Sequence, residues 1–186
     1  MPDNRNKLNQ IHHSYALLLV SVAILLSQPG CTANSVSEAF DDSRNASLAE
    51  RLIKNSHPGF KDANFAVTSF NGILLITGQV PSADMIPIAT SKVDRLRNVR
   101  KVHNELAVAG PTSMISRTND SWLTTKIKSA LAAEEDTDAT RIKVVTENGV
   151  VFLLGLLSRA EADAAVAVTR DIQGVQKIVK LFEYMN

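Results

Sequence analysis

Cysteine is all but missing from this chain. Cys31 stands alone among 186 residues, so no internal disulfide braces the fold and no cysteine cluster holds a metal. Aromatic residues make up 5% of the chain, with Trp122 as the one tryptophan. Histidine is equally thin. His12 and His13 sit near the N-terminus, which leaves His57 and His103 far apart, and two isolated imidazoles provide neither a metal ligand set nor a catalytic relay. No serine lies in a nucleophile elbow, and no glycine-rich loop cradles phosphate. Glu134, Glu135, Asp136 and Asp138 cluster, but without the glycine and spacing of an EF-hand loop they read as a solvated turn. An excess of charge of one sign is also lacking. Beyond residue 30 the chain carries 18 basic and 18 acidic groups, whereas nucleic-acid binding usually shows as a strongly basic domain. These absences leave no catalytic residue, no cofactor, no small-molecule substrate and no nucleic-acid partner to expect.

A long hydrophobic run is missing too. Residues 15–26 form a charge-free stretch of twelve, preceded by Arg5 and Lys7. A membrane span needs about 20 apolar residues, so this run reads as the core of a secretory signal. Ser27-Gln28-Pro29-Gly30-Cys31 follows directly. A small residue before a lone cysteine at this point resembles bacterial lipoprotein signals, which are cleaved before the cysteine, whose thiol then receives diacylglycerol. Gly30 fits that pattern. Gln28 stands where leucine is usual, and Pro29 is also atypical. Thr32 replaces the aspartate that commonly retains such proteins at the inner membrane. The resemblance therefore implies a covalent lipid on Cys31 and delivery to the outer membrane.

The remainder divides in two. Residues 31–46 are polar and read as a lipidated tether, and residues 110–119 read as a linker. Between and after them lie two stretches, 47–109 and 120–186, that repeat one another. Asn71-Gly72 and Asn148-Gly149 each sit between apolar runs, and Gly78 and Gly155 follow at the same offset of 77 residues. Asn-Gly between such runs is the strongest short hairpin signal, because both turn residues need positive φ. The spacing predicts strands at 65–69 and 142–146 before the hairpins and final strands at 102–108 and 178–184. Ser158 and Glu161 form a capping box ahead of a helix over 162–172 closed by Gly174, and Ser82 opens a helix to Arg97 that Pro87 delays or kinks. A further helix precedes each hairpin, marked by Leu48 and Leu52 in one half and by Leu123, Ile127, Ala130 and Leu131 in the other. The order is helix, strand, strand, helix, strand, twice. This is an α+β fold in which each three-stranded sheet is covered on one face by two helices. Units this small are marginal alone, so the two are expected to touch.

On these residues the repeats resemble BON domains, through the Asn-Gly hairpin, the following glycine and the final strands that open at Val99 to Val102 and Val175 to Ile178. The likeness is stronger in the second repeat, from Asn119-Asp120-Ser121-Trp122 onward. A lipoprotein signal ahead of two BON repeats resembles the dual-BON outer-membrane lipoproteins. That resemblance implies a periplasm-facing protein that binds anionic phospholipid through the first helix of its second repeat, supports envelope integrity and gathers at division sites. The site residues it implies are Trp122, Leu123, Lys126, Ile127, Lys128 and Ser129.

Read from the residues, Leu123, Ile127, Ala130 and Leu131 make a core face, with Trp122, Lys126, Ser129 and Ala133 as the stripe beside it. Tryptophan next to lysine suits a lipid interface, and the first repeat has Ser47 at the place matched to Trp122. A flanking tryptophan equally fills a seam between two domains. Charge favours the first repeat: residues 43–110 hold nine basic and five acidic groups, and residues 120–186 hold eight and ten. The run Lys92, Arg95, Arg97, Arg100 and Lys101 is its densest basic surface. A protein-binding adaptor for outer-membrane assembly machinery is the alternative function.

Overall fold

The computed structural model describes residues 33–110 and 114–185; the expected signal and Cys31 lie outside them. The first repeat comprises α1 (Ala33–Lys54), β1 (Asn64–Phe70), β2 (Ile73–Val80), α2 (Met85–Val93) and β3 (Lys101–Val108). The second comprises α3 (Met114–Ala133), β4 (Ile142–Glu147), β5 (Val150–Leu157), α4 (Arg159–Arg170) and β6 (Lys177–Tyr184). In each sheet the second strand is central, antiparallel to its hairpin partner and parallel to the last strand. A parallel neighbour needs a crossover, which α2 and α4 provide.

Both hairpins close with two residues, Phe70 opposite Ile73 and Glu147 opposite Val150. Asn71, Gly72, Asn148 and Gly149 all have positive φ, between 49° and 75°, the geometry that matches strand twist. The recurring glycine has a separate cause. A Cβ on Gly78 would lie 2.2 Å from the Asn64 carbonyl oxygen, and one on Gly155 would lie 2.5 Å from that of Arg141.

Several boundaries differ from the sequence reading. The stretch read as a tether is helical from Ala33, because its polar residues have partners: Asp42 is bound by the β1–β2 hairpin, and buried Asn45 donates to the Arg97 carbonyl at 3.0 Å. The stretch read as a linker is likewise helical from Met114. Helix α2 begins at Met85, so Pro87 falls in its first turn, where the missing N–H had no acceptor and no kink is needed. It ends at Val93, short of Arg97. Ser158 and Glu161 do form the capping box of α4, which ends at Arg170, ahead of Gly174.

Both faces of each sheet are covered, which the sequence reading left at simple contact between repeats. On one face of the first sheet, Leu74, Ile76 and Val80 pack against Ala49 and Ile53 of α1 and against Met85, Ala89 and Val93 of α2. On one face of the second, Val151, Leu153 and Leu157 pack against Leu123, Ile127 and Leu131 of α3 and against Ala162 and Ala165 of α4. The other faces meet each other through Ile73 and Leu75 against Phe152, Leu154 and Leu181. All five are at most 6% exposed, and burying a side chain of this size contributes about 1.5–3 kcal/mol. The layers run helices, sheet, sheet, helices. Strand β2 is buried along its entire length, as expected of a strand covered on both sides.

A candidate membrane-binding face

The site begins with an aspartate that the sequence reading passed over. Asp120 on α3 accepts the backbone N–H of Asn148 at 2.7 Å and of Gly149 at 2.9 Å. Asp42 on α1 does the same for Asn71 at 2.6 Å and Gly72 at 3.0 Å, and it also accepts the Ser69 hydroxyl at 2.6 Å. Both carboxylates are at most 9% exposed. Each pins the first helix of its repeat to its own hairpin, and a carboxylate bound to N–H groups is among the stronger hydrogen-bonded arrangements. The available signal was an aspartate 29 residues before one Asn-Gly and 28 before the other.

This pairing corrects the alignment of the helices. With Asp42 matched to Asp120, Trp122 matches Arg44 and not Ser47. Buried Ala49 and Ile53 then fall on buried Ile127 and Leu131, as a shared core face requires.

Helix α3 sorts its residues cleanly. Leu123 and Ile127 are fully buried and Leu131 is 1% exposed. Leu123 and Ile127 therefore hold the helix on the sheet and are not presented at its surface, contrary to the expected site. Trp122 is 55% exposed, and the Lys126 ammonium sits 4.5 Å from its ring centroid, within cation–π range. The cluster between the sheets contains neither residue, so Trp122 does not fill the seam. Ser129 is exposed on the same stripe. Lys128 is exposed as well, yet at 100° per residue it lies about 120° around the helix from Trp122. Ile115 is 84% exposed and lies seven residues before Trp122, on the same stripe. It was missed because the helix was expected to begin later.

The competing basic run gives up one member to the fold, while Lys92, Arg95, Arg97 and Lys101 stay exposed. Arg100 binds Glu183 of the second repeat at 2.6 Å and donates to the Asn71 carbonyl, so it belongs to the junction of the repeats. Extending the first repeat to Ala33 adds Glu38, Asp41 and Asp42, giving nine basic and eight acidic groups, while Arg117 brings the second to nine and ten. The apparent charge contrast between repeats largely vanishes.

The other titratable groups are structural. The His57 ring accepts the Gly59 N–H at 3.1 Å. His103 faces the seam, where burial and then Lys101 push its pKa below the usual histidine range, opposed by Glu105 and Glu183. Asp138 is held below the usual carboxylate range by the Thr140 hydroxyl and N–H and caps the short turn Ala139–Arg141. Among the described residues no three His, Cys, Asp or Glu side chains come together to hold a metal. No described helix is long and apolar enough to cross a membrane.

A double helix–strand–strand–helix–strand unit with sheets packed face to face defines the class of protein. The BON domain model matches residues 41–110 and 119–186, and the chain belongs to that family. It is a dual-BON protein similar to the outer membrane lipoprotein DolP of Haemophilus influenzae, at 41% identity over 118 residues, covering 63% of this chain and 61% of that one. It is also similar to the 21 kDa hemolysin of Actinobacillus pleuropneumoniae, at 38% identity over 126 residues, covering 68% and 65%. Osmotically-inducible protein Y of Escherichia coli is 26% identical over 148 residues, covering 78% and 73%. The chain thus spans somewhat less than two thirds of the first two relatives.

Proposed function

We propose that this chain is an outer-membrane lipoprotein, acylated on Cys31 and facing the periplasm, that binds anionic phospholipid through the outward stripe of α3 and so supports envelope integrity. It acts as a binding module, not an enzyme. The observation that carries this reading is the exposed pair of Trp122 and Lys126 on a helix held rigidly by Asp120 and by a buried apolar face. An indole under an ammonium combines an apolar body with a charge at headgroup level, the combination favoured at membrane interfaces. The similarity to a protein named as an outer membrane lipoprotein supports the anchor and the location.

The magnitudes divide the labour. Burying Trp122 is worth about 1.5–3 kcal/mol, and one lysine near an anionic surface about 1 kcal/mol. Affinity of the domain alone is therefore modest, while acyl chains at about 0.8 kcal/mol per buried methylene hold the protein in place. Weak binding by an already anchored domain is suited to sensing lipid composition.

Vesicle flotation tests this with a fragment beginning at residue 32, which keeps every described element. Trp122→Ala should weaken binding to vesicles containing phosphatidylglycerol while melting at nearly the wild-type temperature. Arg95→Glu with Arg97→Glu should leave binding largely intact. Loss only in the arginine pair would move the site to the first repeat.

A further inference from the structure

Helix α1 presents an outward stripe that the reading of α3 leaves unexplained. Phe40 is 73% exposed. Arg44, Ser47, Arg51 and Lys54 follow it at spacings of four, three, four and three, so at 100° per residue all five lie within an arc of about 80°. All five are exposed. Glu50 and Asp41 fall outside the arc, and Asn45, Ala49 and Ile53 face the core. Arg44, Arg51 and Lys54 take part in no salt bridge among the described residues.

The same helix face is thus used twice with different chemistry. Arg44 occupies the place of Trp122, and Phe40 that of Thr118. An exposed phenylalanine by itself needs no explanation. A phenylalanine leading a row of three cations on one face of a helix is the pattern of a helix lying in a phosphate-rich interface with an apolar interior. Chain connectivity adds a second argument. Phe40 follows Cys31 by nine residues, so on the proposed anchor it can be no more than about 30 Å from the lipid attachment.

We propose that Phe40, Arg44, Arg51 and Lys54 form a second contact for an anionic phospholipid surface. The contact is independent of Trp122. Because the sheets pack face to face, α1 and α3 occupy opposite outer layers, and one flat bilayer meets one stripe at a time.

Position-specific labelling separates the two faces. The fragment beginning at residue 32, which lacks Cys31, receives a single new cysteine, Ser47→Cys on α1 or Ser129→Cys on α3, modified with an environment-sensitive nitrobenzoxadiazole. It is mixed with phosphatidylcholine vesicles with or without phosphatidylglycerol. The label at 47 should brighten severalfold only with phosphatidylglycerol, and less at high salt. Each cation near an anionic surface changes partitioning about fivefold. Arg44→Gln should therefore weaken the response about fivefold, and Arg44→Glu with Arg51→Glu and Lys54→Glu by at least 100-fold. The label at 129 should respond as before in both. Silence at 47, an equal response on phosphatidylcholine alone, or a response that survives charge reversal would overturn the proposal. Silence at 129 with a response at 47 would overturn the Trp122 reading and leave this one standing.

Discussion

Removing the Asp120 carboxylate should destabilise the protein far more than removing any exposed charge. Asp120→Ala deletes two hydrogen bonds, to Asn148 at 2.7 Å and Gly149 at 2.9 Å, from a residue only 6% exposed. Hydrogen bonds to a charged group contribute about 1.5–3 kcal/mol each, and the Gly149 amide left behind is buried. The sum is about 3–6 kcal/mol. For a unit of this size each kcal/mol shifts Tm by about 2–4 °C, so a fall of at least about 6 °C is expected. Asp120→Asn keeps one acceptor oxygen but turns an NH2 toward the second amide, and it should recover less than half of the loss. Urea unfolding followed by far-UV circular dichroism measures this directly, with the midpoint falling and the slope unchanged. A loss below about 1 kcal/mol in Asp120→Ala would refute the view that this carboxylate holds α3 to its hairpin.

Gly78→Ala should cost roughly 2–4 kcal/mol, from strain at a φ of +125° and a Cβ driven against the Asn64 carbonyl; a neutral result in the same urea assay would show that β1 yields. Stability should also fall on mild acidification. The unfolded His103 takes its proton near pH 6.5, whereas the folded residue, its pKa lowered by burial, takes it at lower pH. Stability is therefore undiminished above about pH 6.5, declines between the two pKa values and levels off below them. His103→Gln should flatten that decline in a pH series of Tm values. Cys31→Ser should prevent acylation, leaving the protein unprocessed or soluble when cells are fractionated and labelled with palmitate. An acylated serine variant recovered in the outer membrane would end the lipoprotein reading.

Much of this architecture is local and was therefore legible in the chain. Asn71-Gly72 and Asn148-Gly149 announce tight hairpins because few other residue pairs accept positive φ twice, and Ser158 with Glu161 announces a helix start because both groups act within one turn. The offset of 77 residues between the hairpins reveals the repeat without reference to any contact. Trp122 and Lys126, four residues apart on one helix, are neighbours in any fold that keeps the helix.

What the chain could not announce depends on partners distant in sequence. Residues 33–46 look like a tether because Asp42 and Asn45 are polar; their partners, the hairpin at Asn71 and Gly72 and the carbonyl of Arg97, lie 29 or more residues away. The same ignorance hid Ile115 and misaligned Arg44. Contact between the repeats was to be expected, but not that the sheets meet through Ile73, Leu75, Phe152 and Leu154, since a strand covered on one face or on two differs only by what stacks against it. Periodicity within a segment determined its secondary structure and its apolar face. Only the tertiary structure decided which polar groups are satisfied inside, that Arg100 is drawn into the junction, and that Trp122 stays in solvent instead of filling the seam, because burial and pairing are properties of surfaces brought together from distant parts of the chain.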